Sequence, residues 1–301
     1  MFQSLPYILP FYHVVSDDEL PHVKSLFYVK TVSEFISDIE YIGEQYDYVD
    51  LDEFYSLSLR SFSGLTKPVV HLSFDDGLRQ CYDIIAPILL KKGIPATFFI
   101  NTAFVDNKRM LFRFKASLIN EHLKGSGIHS AVVEEELMKV SYGEEGLLDQ
   151  FAIDYDLDFQ NFLEEEKPYM SWRQIEILQK QGFSLGAHSV DHPLLKDVDS
   201  LQATRQVADC FEEIDMRCKL QCKAFAFPFT DDGISVDLFN SFRDNNLFDI
   251  SFGTAGIKQD VLPMNFQRIP MEWNYSAKKI LFFYKLKAAA RKYLGVNVIR
   301  R

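Results

Sequence analysis

Pro68 is followed by a six-residue apolar and β-branched run, Val69-Val70-His71-Leu72-Ser73-Phe74, that stops at Asp75-Asp76-Gly77. Residues 78–92 then place Cys81, Ile84, Ile85, Ile88 and Leu89 on one helical face ahead of Gly93, and 94–100 is a second strand-like run. Strand, helix and strand in this order predict a right-handed crossover between parallel strands. Parallel α/β folds carry their chemistry at the carboxyl ends of strands, and Asp75 and Asp76 stand at such an end.

The same alternation recurs along the chain. Residues 7–15 read as a first buried strand, and Thr31-Val-Ser-Glu34 has the pattern of a capping box opening a helix with Phe35, Ile39 and Ile42 on one face. After a helix at about 171–181 come strands at 183–187, 224–227, 248–252 and about 268–271, with helices at about 200–217 and 235–245 between them. A parallel α/β sheet follows from this order. Residues from about 103 to 168 break the rhythm and read as a largely helical insertion, with the acidic triplets at 134–136 and 164–166 as solvated helix faces. With 47% hydrophobic residues in 301, the chain can bury one large core, and one unit over 1–301 is expected.

Charge narrows the partners. The formal net charge of −11 argues against a phosphate-backbone binder, so no nucleic acid is expected. The tail at 275–301 is the exception, because it holds Lys278, Lys279, Lys285, Lys287, Arg291, Lys292, Arg300 and Arg301 and no acid. Mixed with Ile280, Leu281, Phe282, Phe283, Tyr284, Leu286, Tyr293 and Leu294, these residues fit either a helix packed on the body or one resting on an anionic membrane. The 4 cysteines are too few for a disulfide scaffold, and Cys210, Cys218 and Cys222 read as small buried residues. The opening MFQSLPYILPFYHVV lacks a basic segment ahead of a long apolar one, so a cytoplasmic location is expected, with a membrane-peripheral one as the alternative that the second reading of the tail would give.

Two adjacent carboxylates at a strand end point in different directions, so one can bind a cation while the other serves as a base; an Asp there can also cap a helix. His188-Ser-Val-Asp-His192 places two imidazoles four residues apart just after another strand, a spacing that suits a metal. One carboxylate and two histidines would leave coordination positions open for water and substrate.

Together, Ser73-Phe74-Asp75-Asp76-Gly77 and His188-Ser-Val-Asp-His192-Pro193 resemble the first two motifs of the polysaccharide deacetylase family, carbohydrate esterase family 4. Ala224-Phe225-Ala226-Phe227-Pro228-Phe229 resembles its third motif in the variant with a small residue in place of arginine, and 94–100 resembles its second core strand. The resemblance implies a distorted (β/α)7 barrel and metal-dependent removal of acetyl groups from an N-acetylated sugar or polysaccharide precursor. It makes Asp75 the catalytic base and Asp76, His188 and His192 the metal ligands. Water held by the metal would attack the acetyl carbonyl once Asp75 takes its proton. Zn²⁺ suits the mixed N/O donors, as do Co²⁺, Ni²⁺ and Fe²⁺.

Two departures from the family pattern need substitutes. Ala226 replaces the arginine that would orient Asp75, and residues 267–271 lack the histidine that would protonate the leaving amine. His13 is the candidate acid, because it ends the first strand and Phe11-Tyr12-His13-Val14 resembles the Tyr-His opening of exopolysaccharide deacetylases in this family. Phe229 and Trp172 are candidates for a sugar-stacking wall. Arg268 is a candidate donor to a sugar hydroxyl or to Asp75. His22, His71, His122 and His129 are assigned no chemistry. Alternative readings are a non-catalytic carbohydrate-binding relic and a metal hydrolase of a non-sugar amide or ester.

Overall fold

Strands covered on both sides must be apolar on both faces, which is why the runs above lack the alternation of half-exposed strands. The computed structural model describes residues 6–128 and 130–301; His129 and the first five residues, on which part of the reading of the opening rests, lie outside them. Strands β1 (Tyr7–Ile8) and β2 (Pro10–Tyr12) are followed by α1 (Val32–Gln45), β3 (Asp47–Tyr48), α2 (Leu51–Leu59), β4 (Val69–Val70) and β5 (Leu72–Phe74). A π turn over Cys81–Ile85 runs into α3 (Ala86–Lys92), Gly93 ends that helix at φ 65°, and β6 (Ala96–Ile100) completes the expected crossover. Thr31 and Glu34 form the capping box expected at the start of α1.

Helices α4 (Phe112–Gly125), α5 (Ala131–Lys139), α6 (Gly146–Asp154) and α7 (Phe159–Glu166) fill the inserted stretch. Alternation resumes with α8 (Trp172–Lys180), β7 (Ser184–Ala187), α9 (Ser200–Asp215), β8 (Ala224–Ala226), α10 (Val236–Asp244) and β9 (Ile250–Gly253). Then come β10 (Gln259–Asp260), β11 (Asn265–Gln267), β12 (Ile269–Pro270), α11 (Ala277–Tyr293) and β13 (Val298–Ile299).

The main sheet is parallel throughout, in the order β11-β9-β8-β7-β6-β5-β2-β12. Its two edges are consecutive in sequence, separated by Arg268 alone. One extended segment therefore pairs with β9 through β11 and with β2 through β12, closing a barrel of seven staves. The seam lies at Arg268, whose amide donates to Gly253 O at 3.0 Å while the next amide, of Ile269, donates to Leu9 O at 2.7 Å. This is the expected distorted (β/α)7 barrel. The expectation for the last strand missed its first half, because Asn265 and Gln267 are polar; both are buried, with their amides bonded to Asp231 and Asp260.

Helices α4–α7 build a hydrophobic cluster of their own around Phe112, Phe114, Leu137 and Leu148, joined to the barrel through Val14, Val23 and Leu78. Glu164, Glu165 and Glu166 are exposed, as a solvated face requires. The tail departs from a simple basic appendage. Helix α11 lies along α1, β13 pairs with β10, and Arg301 is buried in ion pairs with Asp231 and Asp260.

Candidate active site

Four strand-end loops converge on one cavity of about 550 Å³, lined among others by His13, Asp75, Asp76, His188, His192 and Phe229. Its floor is backbone-strained. Asp76 (φ 69°), Ser189 (φ 68°), His192 (φ 64°) and Phe229 (φ 58°) all lie in the left-handed region, at a cost of ~1–3 kcal/mol each that the surrounding contacts must offset. Gly77 (φ 67°) takes the same turn without that cost, which is what a glycine after the carboxylate pair allows.

Asp76, His188 and His192 present donor atoms within 4.8 Å of one another, and all three side chains are buried. The Nε2 atoms of His192 and His188 lie 3.3 Å and 3.5 Å from Asp76 Oδ1. His188 is aimed by its other nitrogen, since Nδ1 donates to Ala226 O at 2.8 Å and leaves the Nε2 lone pair facing the cluster. The loop carrying both histidines is clamped outside the cavity, where Asp191 accepts from Tyr142 Oη at 2.9 Å and from Gln206 Nε2 at 2.7 Å. Burial lowers the His188 imidazole to about 4, so it stays neutral and free to ligate. Burial would raise the Asp76 carboxyl, but His192, His13 and His188 outweigh it and hold the group ionised. Asp76 Oδ1 and His192 Nδ1 are buried with no hydrogen-bond partner. A buried anionic oxygen with no hydrogen-bond partner beside two imidazole nitrogens is a donor set that a divalent cation completes.

Asp75 occupies a different environment. Arg268 donates to it through both terminal nitrogens, each at 2.7 Å, and also to Ser73 Oγ at 3.1 Å. The guanidinium is itself wedged against Phe11, 4.3 Å from the ring centroid. Burial alone would raise the Asp75 carboxyl; Arg268, with His188 and His13, reverses this and holds it below the usual carboxylate range. Asp75 is therefore an ionised, rigidly oriented carboxylate beside the cluster. Arg268 supplies the orienting role left vacant by Ala226, from a different strand.

His13 lines the same cavity, stacked on Phe27 at 4.7 Å. Its Nδ1 pairs with Glu272 Oε2 at 2.5 Å, and the other oxygen of Glu272 accepts from the amides of His13 (2.7 Å) and Val14 (3.0 Å). Burial pulls the imidazole down, but the Glu272 charge and hydrogen bond outweigh it and push it up to about 10. At neutral pH the ring is a cation, with Nδ1 taken by Glu272.

Of the three residues expected to hold a sugar, only Phe229 lines the cavity. It meets His192 edge-on at 4.4 Å and is 39% exposed. Trp172 does not: it is 3% exposed in the core, under the Arg217 guanidinium at 4.9 Å, because the first turn of α8 packs inward. Arg268 does not reach the cavity surface either, since both terminal nitrogens are committed to Asp75. His71 is a packed structural histidine bonded to Val49 O and Thr97 Oγ1, both at 3.0 Å. All four cysteines are buried and free.

Sequence reasoning missed two contributions. Glu272 is a single acid after the last strand, and its position at a strand end was its only signal. Leu111, Arg113, Phe114 and Met138 line the cavity from the insertion, and helical periodicity marks such residues only as inward-facing. Arg113 stands over the Phe112 ring at 5.0 Å and the Phe229 ring at 5.8 Å, bonded to Met138 O.

A sequence profile for polysaccharide deacetylase matches residues 63–244. Among curated proteins nothing matches. Among solved structures, the Streptococcus pyogenes deacetylase PplD in complex with acetate has a TM-score of 0.61 at 16% identity, covering 91% of this chain and 96% of its own. IcaB from Ammonifex degensii has a TM-score of 0.59 at 16% identity, covering 93% and 97%. A de-N-acetylase from Aggregatibacter actinomycetemcomitans has 0.58 at 15%, covering 91% and 98%. These likenesses establish the barrel and span nearly all of each chain.

Proposed function

This chain belongs to the polysaccharide deacetylase family, hydrolases of amide bonds, and from that premise we propose that it removes acetyl groups from an N-acetylated amino sugar of a glycan or glycan precursor. The observation that carries the proposal is the separation of two carboxylates three ångströms or so from different partners: Asp76 on two imidazoles (3.3 and 3.5 Å), Asp75 on Arg268 (2.7 Å). Asp76, His188 and His192 would hold a divalent metal, with Zn²⁺ the first choice for mixed nitrogen and oxygen donors. When bound, such an ion supplies Lewis acidity toward the acetyl carbonyl and the attacking water.

The residues of the chain account for the proton traffic. Asp75, ionised and fixed by Arg268, accepts a proton from the water as its oxygen bonds to the acetyl carbon. His13, kept protonated by Glu272, gives a proton to the sugar nitrogen as the carbon–nitrogen bond breaks. The products are acetate and a free amine, and both side chains then return to their starting charge by exchanging a proton with solvent. Phe229 offers an apolar ring to a pyranose face beside the reacting carbonyl.

Acetate release tests this. The metal-free protein should be inactive on N-acetylglucosamine oligomers and recover with one equivalent of Zn²⁺, whereas His188→Ala should bind no metal tightly and stay inactive. Release from simple esters or acetylated peptides with none from the sugars would overturn the substrate assignment.

A further inference from the structure

Helix α11 is apolar on two opposite sides. At about 100° per residue, Ala277, Ile280, Leu281 and Tyr284 fall on one side, whereas Phe282, Leu286 and Tyr293 fall within about 40° of one another on the other. The first side is spent on the body: Ala277, Ile280 and Leu281 are buried, and the Tyr284 ring packs so closely on Gly256 that a Cβ there would lie 2.3 Å away. The second side faces solvent. Phe282 is 61% exposed, Phe283 42%, Leu286 50% and Tyr293 91%, and Tyr275, also exposed, extends the strip from the preceding turn.

Both ends of this helix are pinned, so the strip is a fixed surface. The Ala277 amide donates to Asp38 Oδ1 at 2.6 Å, Asp38 pairs with buried Lys30, and beyond the helix Arg301 sits between Asp231 and Asp260. Lys278 and Lys287 are exposed along its borders, and Lys279 is exposed within it, 3.6 Å above the Tyr275 ring. The strip starts close to the cavity in sequence: Trp273, 49% exposed, directly follows Glu272, the partner of His13.

We infer that this face docks on the surface of an anionic phospholipid bilayer. A helix with apolar residues on both sides has a second surface to cover, and aromatic rings bordered by lysines match the headgroup layer, where rings sit at the interface and ammonium groups meet lipid phosphates. A second copy of the chain is a poor occupant, because a two-fold contact here would set lysines against lysines. Lys278, Lys279 and Lys287 stand exposed at this face while the chain as a whole carries −11, so an anionic surface repels the acidic body and attracts this side of α11. Among the described residues no helix is long and apolar enough to cross a membrane, so the contact is in the plane of the surface.

The test is cosedimentation of the full chain with phosphatidylcholine vesicles, with and without phosphatidylglycerol. The wild type should pellet with the anionic vesicles only and come off in high salt. Lys278→Gln/Lys279→Gln/Lys287→Gln should weaken partitioning on the order of 100-fold, from about 1 kcal/mol per cation. Phe282→Ser/Leu286→Ser/Tyr293→Ser should weaken it comparably while leaving the circular dichroism spectrum and acetate release from a soluble substrate unchanged. A wild type that stays in the supernatant, variants that pellet as it does, or light scattering that finds a dimer abolished by the serine variant would each overturn the inference. Vesicle partitioning, circular dichroism and light scattering are all read without the deacetylation chemistry, so failure here and failure of the proposed reaction are distinguishable.

Discussion

Glu272→Gln isolates the charge that keeps His13 protonated. An amide at this position keeps an oxygen to accept from the backbone of His13 and Val14, so the loop geometry survives while the negative charge is removed. The shift of His13 from 6.5 to about 10 represents ~5 kcal/mol of preference for the imidazolium, with burial working against it throughout. A raised folded-state value means that this contribution to stability is complete below pH 6.5 and is lost as pH rises through about 10. In the variant, burial acts with much less opposition and His13 titrates at or below the ordinary imidazole value. At pH 8.5 only ~1% of the rings would then carry the acid proton, so kcat should fall about a hundredfold and recover on acidification, whereas the wild type stays flat toward pH 10. The assay is acetate release across pH, paired with nitrogen-15 NMR of the His13 ring, which reads its protonation independently of turnover. A variant profile superimposable on the wild type, with the ring still protonated at pH 8.5, would refute the claim that Glu272 holds the acid.

Asp75→Asn should leave zinc content near one equivalent while lowering turnover by at least about a hundredfold, measured by metal analysis and acetate release on the same sample. Arg268→Leu strands the buried Asp75 charge and should cost about 3–5 kcal/mol in urea unfolding; Asp75→Asn/Arg268→Leu together should cost much less than the sum of the single changes. Phe229→Ala should raise KM for an N-acetylated oligosaccharide about tenfold with little loss of stability, whereas Trp172→Ala should leave KM unchanged and destabilise the fold by about 3–5 kcal/mol. Equal KM changes in the two variants would return Trp172 to the sugar site.

What was legible in the sequence is local. The capping box at Thr31 and Glu34, the end of α3 at Gly93 and the apolar runs of β6 and β7 are set by a few neighbouring residues, and the structure has them within a residue or two of expectation, whereas the run at 69–74 is divided at His71 between β4 and β5, which pair in different sheets. Asp75-Asp76-Gly77 and His188 to His192 are equally compact, since each motif lies in a single loop at a single strand end. Their presence in one cavity follows from parallel strands, which bring all carboxyl ends to one face.

The partners of those motifs are not local. Arg268 reaches Asp75 across 193 residues, and Glu272 reaches His13 across 259, so neither leaves a spacing pattern. Arg268 can serve Asp75 because the closing stave breaks at that residue and turns its side chain into the barrel, which strand periodicity does not encode. The insertion reads in sequence as amphipathic helices, yet which of its apolar residues face the substrate cavity depends on how α4 and α5 dock against the barrel. Trp172 at the start of α8 and Phe229 at the end of the third motif look alike along the chain; packing buries one under Arg217 and leaves the other against His192. The tail divides in the same way. Its composition fixes that it is basic and apolar at once, but only docking of α11 on α1 decides which aromatic rings are consumed in the core and which are left facing solvent, because burial is a property of the neighbours a residue acquires on folding.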